Sequence, residues 1–248
     1  MTDRAVNPSG PSGATDKASP RTGRSRAKSP PGGRSSLRGE QQRSIESRNA
    51  ILVAALSEFA DKGYDATSIR SIGERAGLHF TLVTYHFKNK RELWEAAVSH
   101  FFEEINDSWQ SEMATMSSDD PLDLLRHQFH SFLRFTVRYP DFHRTILHEN
   151  RHNSPRLDWV IRYFVKPIMD ATIPNIVKAQ KNGSLQQCDH VLFYYMILGA
   201  CAALSANTGE IEQSSDLDTK REATISEYWN IIDAIIFKRI APASADPV

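Results

Sequence analysis

The stretch Thr67–Lys90, TSIRSIGERAGLHFTLVTYHFKNK, predicts two short helices joined by a tight turn. Ile69, Ile72 and Ala76 recur at helical spacing and give the first helix one apolar face. Gly77 ends that helix, because a residue without a Cβ atom accepts the left-handed backbone found at helix ends. The layout is that of a helix-turn-helix, which either places its second helix in the DNA major groove or is an ordinary hairpin of a helical bundle.

The residues on both sides of the motif carry a more specific signal. Together with the motif they resemble the DNA-binding domain of the TetR family of bacterial transcriptional regulators, over three helices in register. The matching residues are Phe59, Gly63, Tyr64, Thr67, Ser68, Ile69, Ile72, Ala76, Gly77, Tyr85, His86, Phe87, Lys88, Asn89, Lys90 and Leu93. The resemblance implies an all-α fold, with an N-terminal three-helix helix-turn-helix domain and a C-terminal helical domain for ligand binding and dimerisation.

The chain divides into four predicted segments. Residues 1–43 are rich in Ser, Gly, Pro and Arg and poor in large apolar side chains, so we expect a disordered basic N-terminal arm. Residues 44–92 form the predicted DNA-binding domain, whose first helix starts near Ser44 and ends at Gly63. Residues 93–240 form the predicted ligand-binding and dimerisation domain, followed by a frayed tail, 241–248.

The N-terminal arm is basic although the whole chain has a formal net charge of +0. Its cations outnumber its acids, and they are Arg4, Lys17, Arg21, Arg24, Arg26, Lys28, Arg34, Arg38 and Arg43. A cationic segment ahead of a helix-turn-helix favours contact with nucleic acid, and the same composition also describes a solubilising tail. We hold both interpretations open.

The sequence argues against secretion and membrane insertion. The polar N-terminus has no apolar run behind its charges, which is not the pattern of a secretory signal. The most apolar run, Val191–Leu204, is shorter than the roughly 20 residues that span a bilayer. We therefore expect a cytoplasmic protein with no membrane partner.

The resemblance assigns DNA contacts to the two motif helices. The matched positions are Ser68 and Arg70 for the DNA backbone or an outer base, Phe80, Thr81 and Thr84 for base edges, and Leu82, Tyr85, His86 and Lys90 for phosphates. The chemistry agrees in part, because Thr, Tyr, His and Lys donate to phosphate oxygens and a Thr methyl or Phe ring contacts a thymine methyl. Leu82 and Thr84 depart from the residues common in the family, Ser or Thr and Tyr respectively, which puts one phosphate and one base contact in doubt. Phe80 would instead be a core residue if the second helix were rotated.

The segment HENRH, residues 148–152, matches the H-E-x-x-H pattern of zinc proteases. A zinc-dependent hydrolase would use His148, Glu149 and His152, with the Glu as general base. We prefer a polar helix end, because no third ligand is identifiable and the predicted helix stops at the second His. A metal-sensing cluster with His127, His130 and His143 is likewise disfavoured. We expect no catalytic residue, no metal and no cofactor, so the protein is not predicted to be an enzyme.

A small-molecule effector pocket is predicted between Phe129 and Tyr163. The candidates are Arg134, Phe135, His143, Glu149, Trp159, Arg162 and Tyr163. Aromatic residues with a few convergent polar groups are typical of ligand sites, and they equally describe a bundle core with a polar rim.

The last two predicted helices carry more apolar surface than one core face requires. The candidate dimer residues are Tyr195, Leu198, Ala202, Ile225, Trp229, Ile232 and Ile236. The resemblance implies a four-helix bundle across a two-fold axis, and the alternative is that both helices are simply core.

The resemblance as a whole implies a homodimer on double-stranded operator DNA, with one recognition helix per half-site. A small-molecule effector of unknown identity would release the protein from its operator, as expected for a repressor. Repression rather than activation comes from the family and not from these residues. The rival functions are the zinc-dependent hydrolase and a helical adaptor that does not bind DNA.

Overall fold

The computed structural model describes residues 33–115, 117–152 and 154–237, and every regular element within them is helical. The α-helices are α1 (Gly33–Ala66), α2 (Ile69–Arg75), α3 (Phe80–His86), α4 (Lys90–Thr115), α5 (Pro121–Arg138), α6 (Pro140–His152), α7 (Pro155–Val160), α8 (Lys166–Lys181), α9 (His190–Ala206), α10 (Thr208–Ser214) and α11 (Glu222–Ile236). A π-helical turn, Ile161–Val165, joins α7 to α8. The predicted all-α class is confirmed.

The turn between α2 and α3 depends on two glycines. Gly77 has a φ of +66°, as expected for the residue that ends α2. Gly73 lies inside α2, where a Cβ atom would come within 3.0 Å of the Leu78 carbonyl oxygen and 3.2 Å of the Phe80 Cα atom. The start of α3 therefore approaches α2 closely because position 73 has no side chain. We did not expect this role of Gly73 from the sequence.

The first hydrophobic core lies between α1, α2, α3 and α4 and continues into α5–α7. Phe59, Ile72, Val83, Leu93 and Trp94 are almost completely buried in it. Burying one large apolar side chain is worth roughly 1.5–3 kcal/mol. This packing holds α2 and α3, since helices of their length are not stable on their own.

The second hydrophobic core is built by α5, α8, α9 and α11. Phe129, Ile176 and Ile197 are buried at its centre. At its edge the Arg126 guanidinium of α5 contacts the Asp233 carboxylate of α11, with Nε 2.6 Å from Oδ1. The core therefore fixes α9 and α11 against the rest of the chain.

The start of the first helix differs from the prediction. We expected it near Ser44, but α1 begins at Gly33, so residues 33–43 of the predicted disordered arm are helical. Helix-forming Arg, Glu and Gln residues favour the extension, and an i,i+4 hydrogen bond from Gln42 to Glu46, 3.0 Å long, links its last turn to the predicted helix. The helical backbone breaks at Gly63, as expected, with a φ of 75°. Residues 1–32 and the predicted tail 241–248 lie outside the described residues.

The predicted boundary between residues 92 and 93 falls inside α4. Residues from Gln42 onward pack as one compact unit, which contains both predicted folded domains. The physical reason is that α4 contributes Leu93, Trp94 and Phe101 to the core that also holds α1–α3. The functional division of this unit stays a prediction.

None of the helices in the described part of the chain is by itself long enough and apolar enough to cross a membrane. The helices α9 and α10 reach the required length and apolar composition only as a pair, with a bend of 56° between them.

Candidate nucleic-acid interface

The helix α3 is anchored on one side and open to solvent on the other. Val83 is completely buried against the first core. His79 caps the N-terminus of α3, because its side chain accepts a hydrogen bond from the Thr81 backbone N–H. The outward side presents Thr81, Thr84 and Tyr85, all of which are exposed. A helix held this way offers a continuous polar and aromatic face to a partner.

The three residues predicted to read bases share the exposed side of α3. The Phe80 ring is 37% exposed, with the Arg70 Cζ atom 5.4 Å from its centroid, so it does not belong to the core as a rotated helix would require. The Thr84 hydroxyl donates to the Thr81 carbonyl over 3.0 Å. Since that hydroxyl hydrogen is committed to α3, Thr84 can offer a base its methyl group or the lone pairs of its hydroxyl oxygen. Thr81 Oγ1 similarly lies 2.8 Å from His79 Nδ1.

Ser68 and Arg70 lie at the start of α2, where the prediction put them. Ser68 is the N-cap residue, and its hydroxyl oxygen accepts from the Ser71 backbone N–H over 3.0 Å. The Ser71 hydroxyl in turn bonds Ser68, which completes a capping box. Both Ser68 and Arg70 are exposed, and the Arg70 guanidinium lies against the Phe80 ring of α3. Within the protein, the role of Ser68 is therefore to cap the start of α2.

The structure does not place Lys90 for the predicted phosphate contact. Its Nζ atom donates to the carbonyl oxygens of Tyr64 (2.8 Å), Asp65 (3.2 Å) and Thr67 (2.9 Å). An ammonium group has three hydrogens, so all of its donors are used within the protein. The junction between α1 and α2 turns these three carbonyls towards the start of α4, which the sequence did not indicate.

The remaining predicted phosphate contacts line a recess between α3 and α1. Leu82, Tyr85 and His86 form its α3 side, and the recess has a volume of about 540 Å³. The α1 side includes Arg43 and Ser47. His86 Nε2 lies 3.0 Å from Ser47 Oγ, which ties the two helices together. Ser47 was not among the predicted residues, and Arg43 was predicted only as one of the cations of the N-terminal arm.

The surroundings of the His86 side chain favour its neutral form. Burial lowers its pKa from the ordinary value near 6.5, and the nearby Arg48 cation lowers it further. Arg48 itself stacks on Phe87, with Cζ 5.3 Å from the ring centroid. A neutral His86 adds no positive charge to the recess.

The H-E-x-x-H segment has a structural role in the described residues. His148 Nε2 lies 3.1 Å from the Ala60 carbonyl oxygen of α1. Glu149 is buried and contacts Arg156, with Nε 3.0 Å from Oε2, and it also accepts the Ser154 hydroxyl. No group of three or more His, Cys, Asp or Glu side chains within the described residues could hold a metal ion. The side chain of His152 lies outside the described residues.

The predicted effector residues do not meet in one place. Phe135 is buried in the first core and Trp159 packs against it. Arg134 is exposed and paired with Glu222 of α11, while Arg162 and Tyr163 are exposed on the π-helical turn. Glu149 is engaged by Arg156, as described above. His143 is half-buried, and that burial lowers its pKa.

The predicted dimer residues divide between core and surface. Ala202, Ile225 and Ile232 are buried within the chain, so they do not face a partner in the described conformation. Leu198, Trp229 and Ile236 are half-buried, and Tyr195 is exposed. The helix period explains the difference, because only residues on the outer stripe of α9 and α11 point away from the second core. That outer stripe carries Leu192, Tyr195, Met196, Ile231 and Ile235.

Comparison with known proteins identifies the family. Residues 51–97, which span the end of α1 to the start of α4, match the family described as "Bacterial regulatory proteins, tetR family". The HTH-type transcriptional regulator RutR of Escherichia coli (strain K12) is 24% identical over 206 residues, which is 82% of this chain and 95% of RutR. The chain therefore carries a TetR-family DNA-binding domain at residues 51–97. It is a DNA-binding regulator of transcription.

Two further relatives extend the comparison. The HTH-type transcriptional repressor KstR2 of Mycolicibacterium smegmatis is 32% identical over 82 residues, or 33% of this chain and 39% of KstR2. The solved structure of AibR in complex with isovaleryl coenzyme A and operator DNA has a TM-score of 0.63 at 17% identity. It covers 78% of this chain and 100% of the AibR chain. The likeness to AibR supports the fold.

Proposed function

We propose that this TetR-family regulator is a repressor that binds a two-fold-related operator as a homodimer and leaves it when a small molecule binds. The observation that carries the proposal is α3, whose exposed face is held by the buried Val83 and by the close approach at Gly73. We further propose that it works in the cytoplasm, where operator DNA lies. The zinc-dependent hydrolase has no support, since His148 and Glu149 are engaged inside the protein, and the match to DNA-binding regulators argues against an adaptor that does not bind DNA.

The proposed DNA contacts divide by chemistry. Phe80, Thr81 and Thr84 read base edges, because their apolar groups stand on the exposed side of α3. Tyr85 and His86 bind phosphate at the edge of the recess, with Leu82 as its apolar floor. Ser68 and Arg70 contact the DNA backbone beside α2. Arg43 joins the phosphate contacts from α1.

The effector site is proposed at the aromatic cluster around the π-helical turn. Phe164 of that turn stacks on Phe102 of α4, with ring centroids 4.1 Å apart and 3° between the planes. Trp159 packs against Phe164, with centroids 5.2 Å apart. π-Helical turns occur frequently at functional sites, and the structural relative AibR binds an acyl coenzyme A. An apolar ligand that separates these rings would move α7 and α8 relative to α4.

Release from DNA then follows from linkage. An effector lowers operator affinity only to the extent that it binds the non-operator conformation more tightly. A coupling of about 1–3 kcal/mol corresponds to a 5–150-fold change in operator affinity. Selection of bound duplexes from genomic fragments is the direct test of the proposal, and failure to enrich any duplex would refute it.

A matched set of Thr84 variants tests base reading. Thr84→Val keeps the methyl group and removes the hydroxyl, whereas Thr84→Ser does the reverse. We expect Thr84→Val to bind the operator like the wild type and Thr84→Ser to bind about fourfold more weakly, since one buried methyl is worth about 0.8 kcal/mol. The measurement is titration of each variant on the selected operator and on random duplex.

Deoxyuridine substitution provides the control for this set. Replacing the contacted thymine by uracil removes its methyl group, so it should weaken the wild type and leave Thr84→Ser unchanged. If Thr84→Ser keeps wild-type affinity on the thymine operator, the methyl contact does not exist.

A second prediction concerns effector response. Trp159→Ala should raise the concentration of effector needed for half-release by at least about tenfold, because a large aromatic contact is lost. Operator affinity without effector should change little. Isovaleryl coenzyme A is the first probe, and Leu217→Ala is the control, since Leu217 is a large apolar residue, 51% exposed, that does not belong to the aromatic cluster. An unchanged response in Trp159→Ala would place the effector elsewhere.

A further inference from the structure

The junction between α1 and α2 determines where the DNA-binding helices begin. Thr67 is buried there, and its hydroxyl donates to the Gly63 carbonyl oxygen over 2.7 Å. Ser68 follows directly and caps α2. Because α3 packs closely on α2 at Gly73, a shift of this junction would shift both helices.

Tyr64 in this junction has two cations against its ring. Lys90 Nζ lies 4.5 Å from the ring centroid and Arg156 Cζ lies 3.8 Å from it. Both distances are within the range of a cation–π interaction. The Phe59 ring stacks on Tyr64 as well, with centroids 5.7 Å apart and 14° between the planes. Lys90 also donates to three carbonyls of the junction, so it closes the junction from the start of α4.

Arg156 comes from a different part of the chain, and its side chain is held firmly beside Tyr64. It belongs to the first turn of α7, and its Nε atom is 3.0 Å from the Glu149 carboxylate of α6. The Arg156 and Glu149 side chains are only 16% and 3% exposed. A buried carboxylate that loses its cation is strongly destabilised, so the guanidinium cannot leave this position freely. Glu149 also accepts the hydroxyl of Ser154, the N-cap residue of α7.

We infer that Arg156 is a positioning residue for operator binding, which holds the α1–α2 junction through Tyr64, and that Lys90 shares this role instead of binding phosphate. The inference rests on the proposed function. It also gives that function a route for regulation, since α7 leads into the π-helical turn that carries Phe164. Movement of α7 on effector binding would withdraw Arg156 from Tyr64.

Salt titrations on the selected operator distinguish positioning from phosphate contact. Arg156→Met removes the cation and keeps the length of the side chain. We expect it to weaken operator binding on the order of tenfold, as loss of a shielded cation–π contact allows. The slope of log affinity against log salt should stay the same, because no phosphate contact is lost. Lys90→Met should likewise weaken binding and leave the slope unchanged. If Lys90 did bind a phosphate, Lys90→Met would lower the slope by about 0.9.

Conservative variants separate this role from a general effect on folding. Arg156→Lys retains a cation and should recover most of the affinity, and Tyr64→Phe retains the ring and should bind like the wild type. Tyr64→Leu should weaken binding as much as Arg156→Met, and the double variant should be no weaker than Tyr64→Leu alone. Arg126→Met is the control, because it removes an ion pair to Asp233 in the second core and should keep operator affinity.

Each outcome decides a separate claim. A wild-type protein that binds no duplex refutes the proposed function. If the wild type binds, full affinity of Arg156→Met, additive losses in the double variant or a reduced slope for Arg156→Met overturns the positioning role. If circular dichroism shows Arg156→Met to be unfolded, the two Tyr64 variants decide, and equal operator affinity of Tyr64→Phe and Tyr64→Leu overturns the inference.

Discussion

We expect Ile235→Glu to convert the proposed homodimer into a monomer and to weaken operator binding by about 10³-fold or more. A monomer engages one half-site instead of two, so its affinity falls towards the non-specific level, typically 10³–10⁷-fold below specific binding. The effect would be larger than that of any single DNA contact, since one base contact is worth about 1–3 kcal/mol.

The basis of this expectation is the outer stripe of α9 and α11. Ile235 is 75% exposed and Leu192 is 72% exposed, and Tyr195, Met196 and Ile231 are exposed beside them. The two helices are joined by a hydrogen bond from the Tyr228 hydroxyl to the Ala200 carbonyl, 2.7 Å long. Large apolar side chains gathered on one surface mark interaction sites in soluble proteins. A glutamate placed in such an interface would be buried without a partner.

Light scattering across a concentration series measures the outcome, with operator titration in parallel. Leu217→Glu is the matched control, because Leu217 is a large exposed apolar residue, 51% exposed, that lies outside both helices. It should leave the oligomeric state and operator affinity as they are. An Ile235→Glu protein that stays dimeric at micromolar concentration would show that α11 does not form the interface.

The helix-turn-helix was predictable because its signals are local. Apolar spacing fixes the inner side of α2, and a glycine with positive φ ends it. The role of Gly73 was not predictable from the sequence, because it depends on the close approach of another segment to the helix. The early start of α1 was also missed, because residues 33–43 have too few apolar side chains to show a helical period.

The candidate site was predicted less completely, for reasons of tertiary structure. The match to the family placed Lys90 on phosphate, but three carbonyls of a neighbouring junction take its hydrogens. Whether a lysine binds a phosphate or backbone carbonyls depends on their distances in the folded chain, and the sequence does not give those distances. The same holds for Glu149, whose partner Arg156 comes from the next helix.

The burial pattern of the last two helices shows that helical periodicity alone does not separate core residues from surface residues. Ile225 and Ile232 were predicted at the dimer interface and are buried in the second core. Both helices are apolar on more than one side, so the period alone cannot tell the inner side from the outer. The packing of α9 and α11 on α5 and α8 determines which side of each helix is buried.

Removing residues 1–32 should weaken operator binding most strongly at low salt. This segment carries Arg4, Lys17, Arg21, Arg24, Arg26 and Lys28 against Asp3 and Asp16. Each phosphate neutralised by a cation adds about 0.9 to the slope of log affinity against log salt. If roughly three of these cations engage at once, the deletion lowers the slope by about 2.7, and the loss of affinity differs by about 40-fold between 50 and 200 mM salt.

The deletion ends before Gly33, so that α1 stays whole, and a charge-removal variant of equal length serves as its control. That variant has glutamine at the six Lys and Arg positions of residues 1–32 and should match the deletion in slope. Preference for operator over random duplex should persist in both, because phosphate contacts carry no sequence information. A solubilising tail predicts a different result, with lower solubility and unchanged affinity. Parallel log–log lines for full-length and shortened protein would therefore exclude contact between this segment and DNA.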